Sequence, residues 1–298
     1  MMNSTPTTRT CPTVLVVGAT GHFAGLVVPA LVERGVRVRA LIRDPDKASM
    51  ARHRGAREIA VGDLRDRQSL ARAMQGIDGV FHLGPAFVPD EVEMGVTLVE
   101  VAEEAGVCKF VFSSVIQPTN TQLPNHTAKI PVETALFTST MDYTILHPAN
   151  FFQNIGAAWP AVIEDGTFGE PFPTTSRVTR VDYRDVAEVA AIALTEDRLA
   201  YGTFELCATD KLNREEVAVL MSQTLGRRIE ATAPDFESWF KRTALPYDRN
   251  QQRLLANVHA HYANHGVGGN DLTLRTILGR PPRSLEAYIR ELAQGTSK

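Results

Sequence analysis

Apolar residues in this chain fall into two alternating patterns. Short unbroken runs of Val, Ile, Leu and Phe are separated by longer stretches in which apolar positions recur three and four apart. The first pattern is that of strands buried on both faces, and the second that of the helices covering them. Thr13–Val17 predicts the first strand and Phe23–Arg34 the first helix, closed by Gly35. Strands follow at Val36–Ile42, Ile59–Val61, Gly79–Leu83, Cys108–Ser113 and Asp142–Leu146, with helices at Asp66–Gln75, N-capped by Asp66, and Asp90–Ala105. Strand and helix alternating this regularly imply parallel strands joined by right-handed crossovers.

From Asn150 the rhythm breaks. Phe151 to Asn154, Trp159-Pro160 and the Pro-, Gly- and Thr-rich run Gly166–Ser176 read as loops and short helices around a pocket. Val186–Leu194 returns to helix and Thr203–Cys207 to strand. Asn213–Leu225 predicts a helix capped by Asn213, with Glu215 and Glu216 at its positive end, and Arg228–Thr232 a last strand. The tail from Pro234 is helical and aromatic. The division expected is a tail at 1–12, a dinucleotide-binding domain at 13–150 and a substrate region at 151–298, of which about 178–207 return to the first domain.

With 298 residues, 44% hydrophobic and 22% charged, the chain has enough apolar material for a full core. Its net charge of −3 argues against nucleic acid or an anionic membrane as partner. Three widely spaced cysteines form neither a disulfide framework nor a zinc site. The first dozen residues lack the apolar core of a signal peptide and no stretch has the length of a bilayer span, so a cytoplasmic protein is expected.

The strand–turn–helix at Thr13–Gly25 carries Gly18, Gly21 and Ala24 at the spacing of a dinucleotide fingerprint: a tight turn, close backbone approach to a pyrophosphate, and a small residue where helix meets strand. Thr20, His22 and Phe23 complete that turn. At the tip of the second strand, Arg43 with Lys47 suits the 2′-phosphate of NADP, whereas the adjoining Asp44 would serve the 2′-hydroxyl of NAD; NADP is favoured on the match of the guanidinium fork to phosphate. Gly62, Asp63 and Leu64 end the third strand beside the adenine, and Leu83, Gly84 and Pro85 end the fourth under the nicotinamide half.

GATGHFAG, ALIRDPDKA, VGDLRD, VFSSV, HTAKIPVETAL, DYTILHPANFFQN and VDYRDVAEVAAIAL resemble, in that order, the NmrA-like branch of atypical short-chain dehydrogenases/reductases, and the tail from Asn264 is similar to the C-terminus of its bacterial members. The resemblance implies a doubly wound parallel Rossmann sheet with a small mixed, mainly helical C-terminal region closing a cleft. It implies NAD(P) binding in a branch that holds both reductases and cofactor sensors.

Short-chain reductases protonate the substrate with a tyrosine four residues before a lysine. Here the lysine is Lys129 and the tyrosine position is Asn125, which has no proton to give. Lys129 remains suited to the cofactor ribose. His126, i and i+3 with Lys129 on one helix, is the substitute acid, set against a solvent-facing place at a helix start. Ser113 and Ser114 end the fifth strand at the ligand-binding edge, as cofactor contact and catalytic hydroxyl or as strand-terminal caps. Pro148 and Asn150 extend the cofactor site, with Phe87, Phe151, Phe152 and Trp159 as apolar substrate walls. His82 and His147 could face the same crevice, but each is read as a satisfied histidine of the core or of the layer behind the site, and Asp182 and Asp185 as helix caps. His259, His261 and His265 lack the ligand set for a metal.

Two functions remain. One is an NADPH-dependent reductase of a small hydrophobic conjugated substrate of quinone, enone or imine type; the other is a non-catalytic redox sensor with a protein partner. A homodimer is compatible with either.

Overall fold

The computed structural model describes residues 13–208 and 211–296, so the expected tail at 1–12 lies outside the described residues. The chain runs β1 (Thr13–Val17), α1 (Val27–Glu33), β2 (Arg37–Ile42), α2 (Ala48–His53), β3 (Glu58–Val61), α3 (Arg67–Ala73), β4 (Gly79–His82) and α4 (Glu91–Glu104). It continues through β5 (Lys109–Ser113), α5 (Pro124–Thr127), α6 (Ile130–Thr138), β6 (Asp142–Pro148), β7 (Asn150–Phe151), α7 (Trp159–Glu164), β8 (Thr167–Gly169) and β9 (Arg180–Val181). The last elements are α8 (Tyr183–Thr195), β10 (Gly202–Leu206), α9 (Arg214–Leu225), β11 (Glu230–Thr232), α10 (Phe236–Thr243), α11 (Arg249–His265), α12 (Leu272–Leu278) and α13 (Leu285–Thr296). Among the described residues no helix is long and apolar enough to cross a membrane.

The main sheet has seven strands in the order β10-β6-β5-β4-β1-β2-β3. The pairs from β3 across to β6 are parallel, with Val14 facing Val38 on one side and Gly79 on the other. The chain winds outward from β1 to β3 and then crosses to β4 and winds the other way. This reversal opens a crevice at the carboxyl ends of β1 and β4, where ligands lie in such sheets. Buried apolar strands hold it together: Val14, Leu15 and Val16 are fully buried, and Leu15, Leu70, Met74, Val80, Leu98, Phe110 and Leu136 form one core. Each such side chain contributes about 1.5–3 kcal/mol on full burial.

The described chain divides into two compact units. One takes the residues up to Ser114 with Ala128–His147 and Val186–Phe204; the other takes Val115–Thr127, Pro148–Asp185 and the residues from Glu205 onward. In the second unit, β8 pairs with β11 and β7 with β9, both in parallel. Its core joins Phe152, Trp159, Phe168, Met221, Ile229, Leu285 and Ile289. The expected cap of α9 is a full capping box: the Asn213 side chain accepts the Glu216 N–H and the Glu216 carboxylate accepts the Asn213 N–H, each at 2.9 Å.

Three local expectations are revised. The first helix opens with a 3-10 turn at Ala24–Leu26. The helix expected to carry both His126 and Lys129 is interrupted at 128–129, so the i, i+3 relation of a continuous helix does not apply. Asp182 accepts the Arg184 N–H at 2.9 Å as a cap would, but Asp185 does not cap: its carboxylate accepts the Arg283 N–H at 2.7 Å and the Arg280 guanidinium at 2.8 Å, fastening the segment that leads into α13.

Candidate cofactor cleft

The glycine-rich turn is shaped from both sides. Gly18 has φ +80°, a conformation that favours glycine, and its carbonyl accepts the Gly21 N–H at 2.7 Å. A Cβ at Gly18 would stand 3.1 Å from the Ala24 Cβ, so the turn packs on the helix start with little room for a side chain at 18. A Cβ at Gly21 would lie 3.0 Å from the Gly18 oxygen. From behind, Arg54 Nη1 donates to the carbonyls of Ala19 and Gly21 at 2.7 and 2.8 Å. Gly25 makes room for that guanidinium, since a Cβ there would fall 1.7 Å from Nη1.

A cleft of about 420 Å³ opens at this turn. Thirteen of the residues singled out for the cofactor line it: Gly18, Thr20, Gly21, His22 and Phe23 after β1; Arg43 and Lys47 after β2; Gly62, Asp63 and Leu64 after β3; Leu83, Gly84 and Pro85 after β4. Arg65 and Met94 line it too and were not anticipated. Arg43 and Lys47 are exposed cations on its rim, while the neighbouring Asp44 spends Oδ1 on the Asp46 N–H at 3.0 Å as the cap of a short 3-10 turn. Asp63 is likewise fixed, with its N–H on Ser69 Oγ at 3.0 Å and Oδ1 on the Arg65 N–H at 2.9 Å.

The first unit also carries two buried polar sets. Lys129, the N-cap residue of α6, is 7% exposed and its ammonium is paired with Glu91 of α4, one turn before Met94. Burial pushes the ammonium down to about 8. His82, immediately before Leu83, stacks on Phe112 with centroids 5.3 Å apart. Burial, helped by the nearby Lys129 charge, pushes its imidazole down to about 3, and Nδ1 has no hydrogen-bond partner among the described residues. His82 is therefore a core histidine, as expected, but not a satisfied one. In the second set, Ser114 Oγ donates to Glu133 Oε1 at 2.5 Å and the same oxygen meets His147 Nε2 at 2.9 Å. Glu133 is buried and His147 half-buried; Ser113 is fully buried at the end of β5.

The remaining candidates are placed as follows. Phe87 lies in the first unit between β4 and α4, with φ +64°, strained for a bulky residue. His126 is in the second unit and buried, not solvent-facing; Nδ1 stands 3.4 Å from the Gln117 carbonyl, and burial lowers its pKa. Pro148 and Asn150 also fall in the second unit, where Asn150 Oδ1 accepts from Arg180 Nη1 at 2.8 Å. Phe151 packs edge-on to Tyr183 at 4.7 Å, and Phe152 and Trp159 sit in that unit's core. Sequence reasoning missed Arg54, Glu91 and Glu133. Glu133 lies within the HTAKIPVETAL segment around Lys129, and nothing in the local pattern marks the other two.

A doubly wound parallel sheet with a glycine turn at its strand-order reversal defines an α/β protein of the dinucleotide-binding architecture. Within that class the chain belongs to the NmrA-like family, whose profile matches residues 10–288. It is 30% identical over 283 residues to the NAD(P)H azoreductase of Xenophilus azovorans, covering 93% of this chain and 96% of that protein. Among solved structures it resembles Citrobacter sp. triphenylmethane reductase complexed with NADP(H), with TM-score 0.82, 21% identity, and 94% and 99% of the two chains covered. It also resembles NmrA, a negative transcriptional regulator, in complex with NADP, with TM-score 0.77, 18% identity and 95% of each chain covered.

Proposed function

We propose that this chain is an NADP(H)-dependent oxidoreductase that reduces a small hydrophobic conjugated substrate of quinone, enone, imine or azo type. The observation that carries the reading is the cleft rim. Arg43 and Lys47 stand exposed on the rim, where they could face a 2′-phosphate, while the neighbouring Asp44, which would read the 2′-hydroxyl of NAD, has one of its two carboxylate oxygens held by its own turn. The Gly18–Gly21 turn would hold the pyrophosphate, Asp63 and Leu64 the adenine, and Leu83 to Pro85 the nicotinamide half.

The nicotinamide, when bound, supplies a hydride; the chain's own residues orient it and manage the proton. Lys129, held in its ion pair with Glu91, would offer its remaining ammonium hydrogens to the cofactor ribose. Ser114, Glu133 and His147 form a continuous hydrogen-bonded chain, along which a proton passed from Ser114 Oγ to the substrate anion would be replaced through the Glu133 carboxyl when His147 is protonated, the imidazole then taking up a proton from water. A substrate whose anion is delocalised needs only such a weak acid, which suits a site with Asn125 in place of tyrosine.

The same Asn125 favours a second reading, a cofactor sensor without turnover. Following NADPH oxidation in the presence of quinones, enones, imines and azo dyes separates the two. Turnover with any acceptor supports the reductase, and tight NADPH binding without turnover across the panel supports the sensor.

A further inference from the structure

One buried cluster of the second unit holds more positive charge than the carboxylate facing it offsets. Arg180 of β9 and Arg214, the first residue of α9, have side chains 7% and 1% exposed, and both face Glu170. Glu170 Oε2 accepts from Arg180 Nη2 at 2.7 Å and lies 3.5 Å from Arg214 Nε. Burial opposes ionisation of Glu170, but the two guanidinium groups together hold its carboxyl below the usual range, so it is an anion at neutral pH. His259 stands in the same field of charges, and burial pushes its imidazole down to about 4, so it adds no charge at neutral pH. Arginine cannot shed its proton. The cluster therefore carries two fixed positive charges against one negative.

Its donors are also incompletely used. Arg180 Nη1 is spent on Asn150 Oδ1 at 2.8 Å, and Arg214 Nη1 on the carbonyls of Phe172 and Thr232 at 2.8 and 3.0 Å. The Arg214 guanidinium lies over the Phe172 ring at 4.4 Å, and the His259 ring is 5.8 Å from the same ring. Among the described residues, Arg180 Nε, Arg214 Nη2, His259 Nδ1 and the Thr179 hydroxyl, all buried, have no hydrogen-bond partner. Water would satisfy these donors without removing the charge, and an uncompensated buried charge is the costlier defect.

We propose that Arg180 and Arg214 bind one small monovalent anion, of halide size, inside the second unit. One negative charge closes the balance. A small species is required because the donors belong to side chains nine-tenths or more removed from solvent. The residues of the site all belong to one unit.

The test uses the full chain and bromide as probe. Crystals grown in sodium bromide should show an ordered anomalous peak in contact with the Arg214 and Arg180 guanidinium groups. At constant ionic strength the thermal midpoint should rise as sodium gluconate is replaced by sodium bromide. Glu170→Gln, which keeps an acceptor but removes the one carboxylate, should tighten bromide binding at least tenfold; Arg214→Met should abolish the bromide response. Bromide peaks at the surface alone would mean an adventitious ion only and overturn the proposal. So would water at the cluster, or a midpoint in Glu170→Gln and wild type that does not distinguish the two salts.

Discussion

Arg54 and Gly21 are joined by a hydrogen bond that sets the cofactor turn from outside the cleft. The guanidinium donates to the Gly21 carbonyl at 2.8 Å and to the Ala19 carbonyl at 2.7 Å, fixing the orientation of both peptides of the turn. Charged-donor hydrogen bonds contribute about 1.5–3 kcal/mol each. Arg54→Leu should therefore weaken NADPH binding by roughly tenfold or more while the fold is kept, as read by fluorescence titration beside a thermal scan. Unchanged affinity would show that the turn holds its shape without the guanidinium.

Arg43 should discriminate between the two cofactors. Its exposed guanidinium stands on the cleft rim with Lys47, and the adjoining Asp44 has one carboxylate oxygen held by its own turn. In Arg43→Ala, NADPH affinity should fall about tenfold with NADH affinity unchanged, the signature of a lost charge-assisted phosphate contact. Equal losses for both cofactors would move the residue's role away from the 2′-phosphate.

Glu133→Gln tests the proton route. Glutamine preserves size and an acceptor for Ser114 Oγ but cannot pass a proton. The expected result is a fall in kcat of about a hundredfold with NADPH affinity within twofold of wild type, since general-acid help is worth about 10²–10⁴. A kcat unaffected by the change would remove Glu133 and His147 from the mechanism.

His82 makes the fold acid-sensitive. Its folded pKa, about 3, is below its ordinary value of 6.5. Below pH 6.5 the unfolded chain takes up a proton that the folded chain refuses until about pH 3, so its stabilising share is complete above 6.5 and lost as pH falls toward 3. His82→Leu should lose less stability than wild type over that window, the gap reaching a few kcal/mol at the acid end. Parallel urea midpoints for the two proteins from pH 7 to 4 would contradict the assignment.

The cofactor turn was legible because its determinants are local. A Val-rich strand, Gly18, Gly21 and Ala24 lie within a dozen residues, and so does the Arg43–Lys47 tip. Arg54 lies more than thirty residues along the chain from the carbonyls it binds, and Glu91 nearly forty from Lys129; such partners follow from how helices pack, not from spacing. Local pattern misplaced His126 for a related reason. Lys129 and Pro131 begin a new helix, so a helical period carried across 128–129 assigns a face that does not exist. The cluster of Arg180, Arg214 and Glu170 likewise spans three separate segments, and in the sequence each of these residues looks like an ordinary surface charge.

Under the proposed function the cleft presents NADPH for hydride transfer. A single-turnover reaction with NADPH deuterated at the reactive nicotinamide carbon tests it most directly. Deuterium found in a reduced quinone, enone, imine or azo acceptor, with a slowed rate for the labelled cofactor, is the predicted result. NADPH bound tightly with no label passing to any acceptor would contradict it.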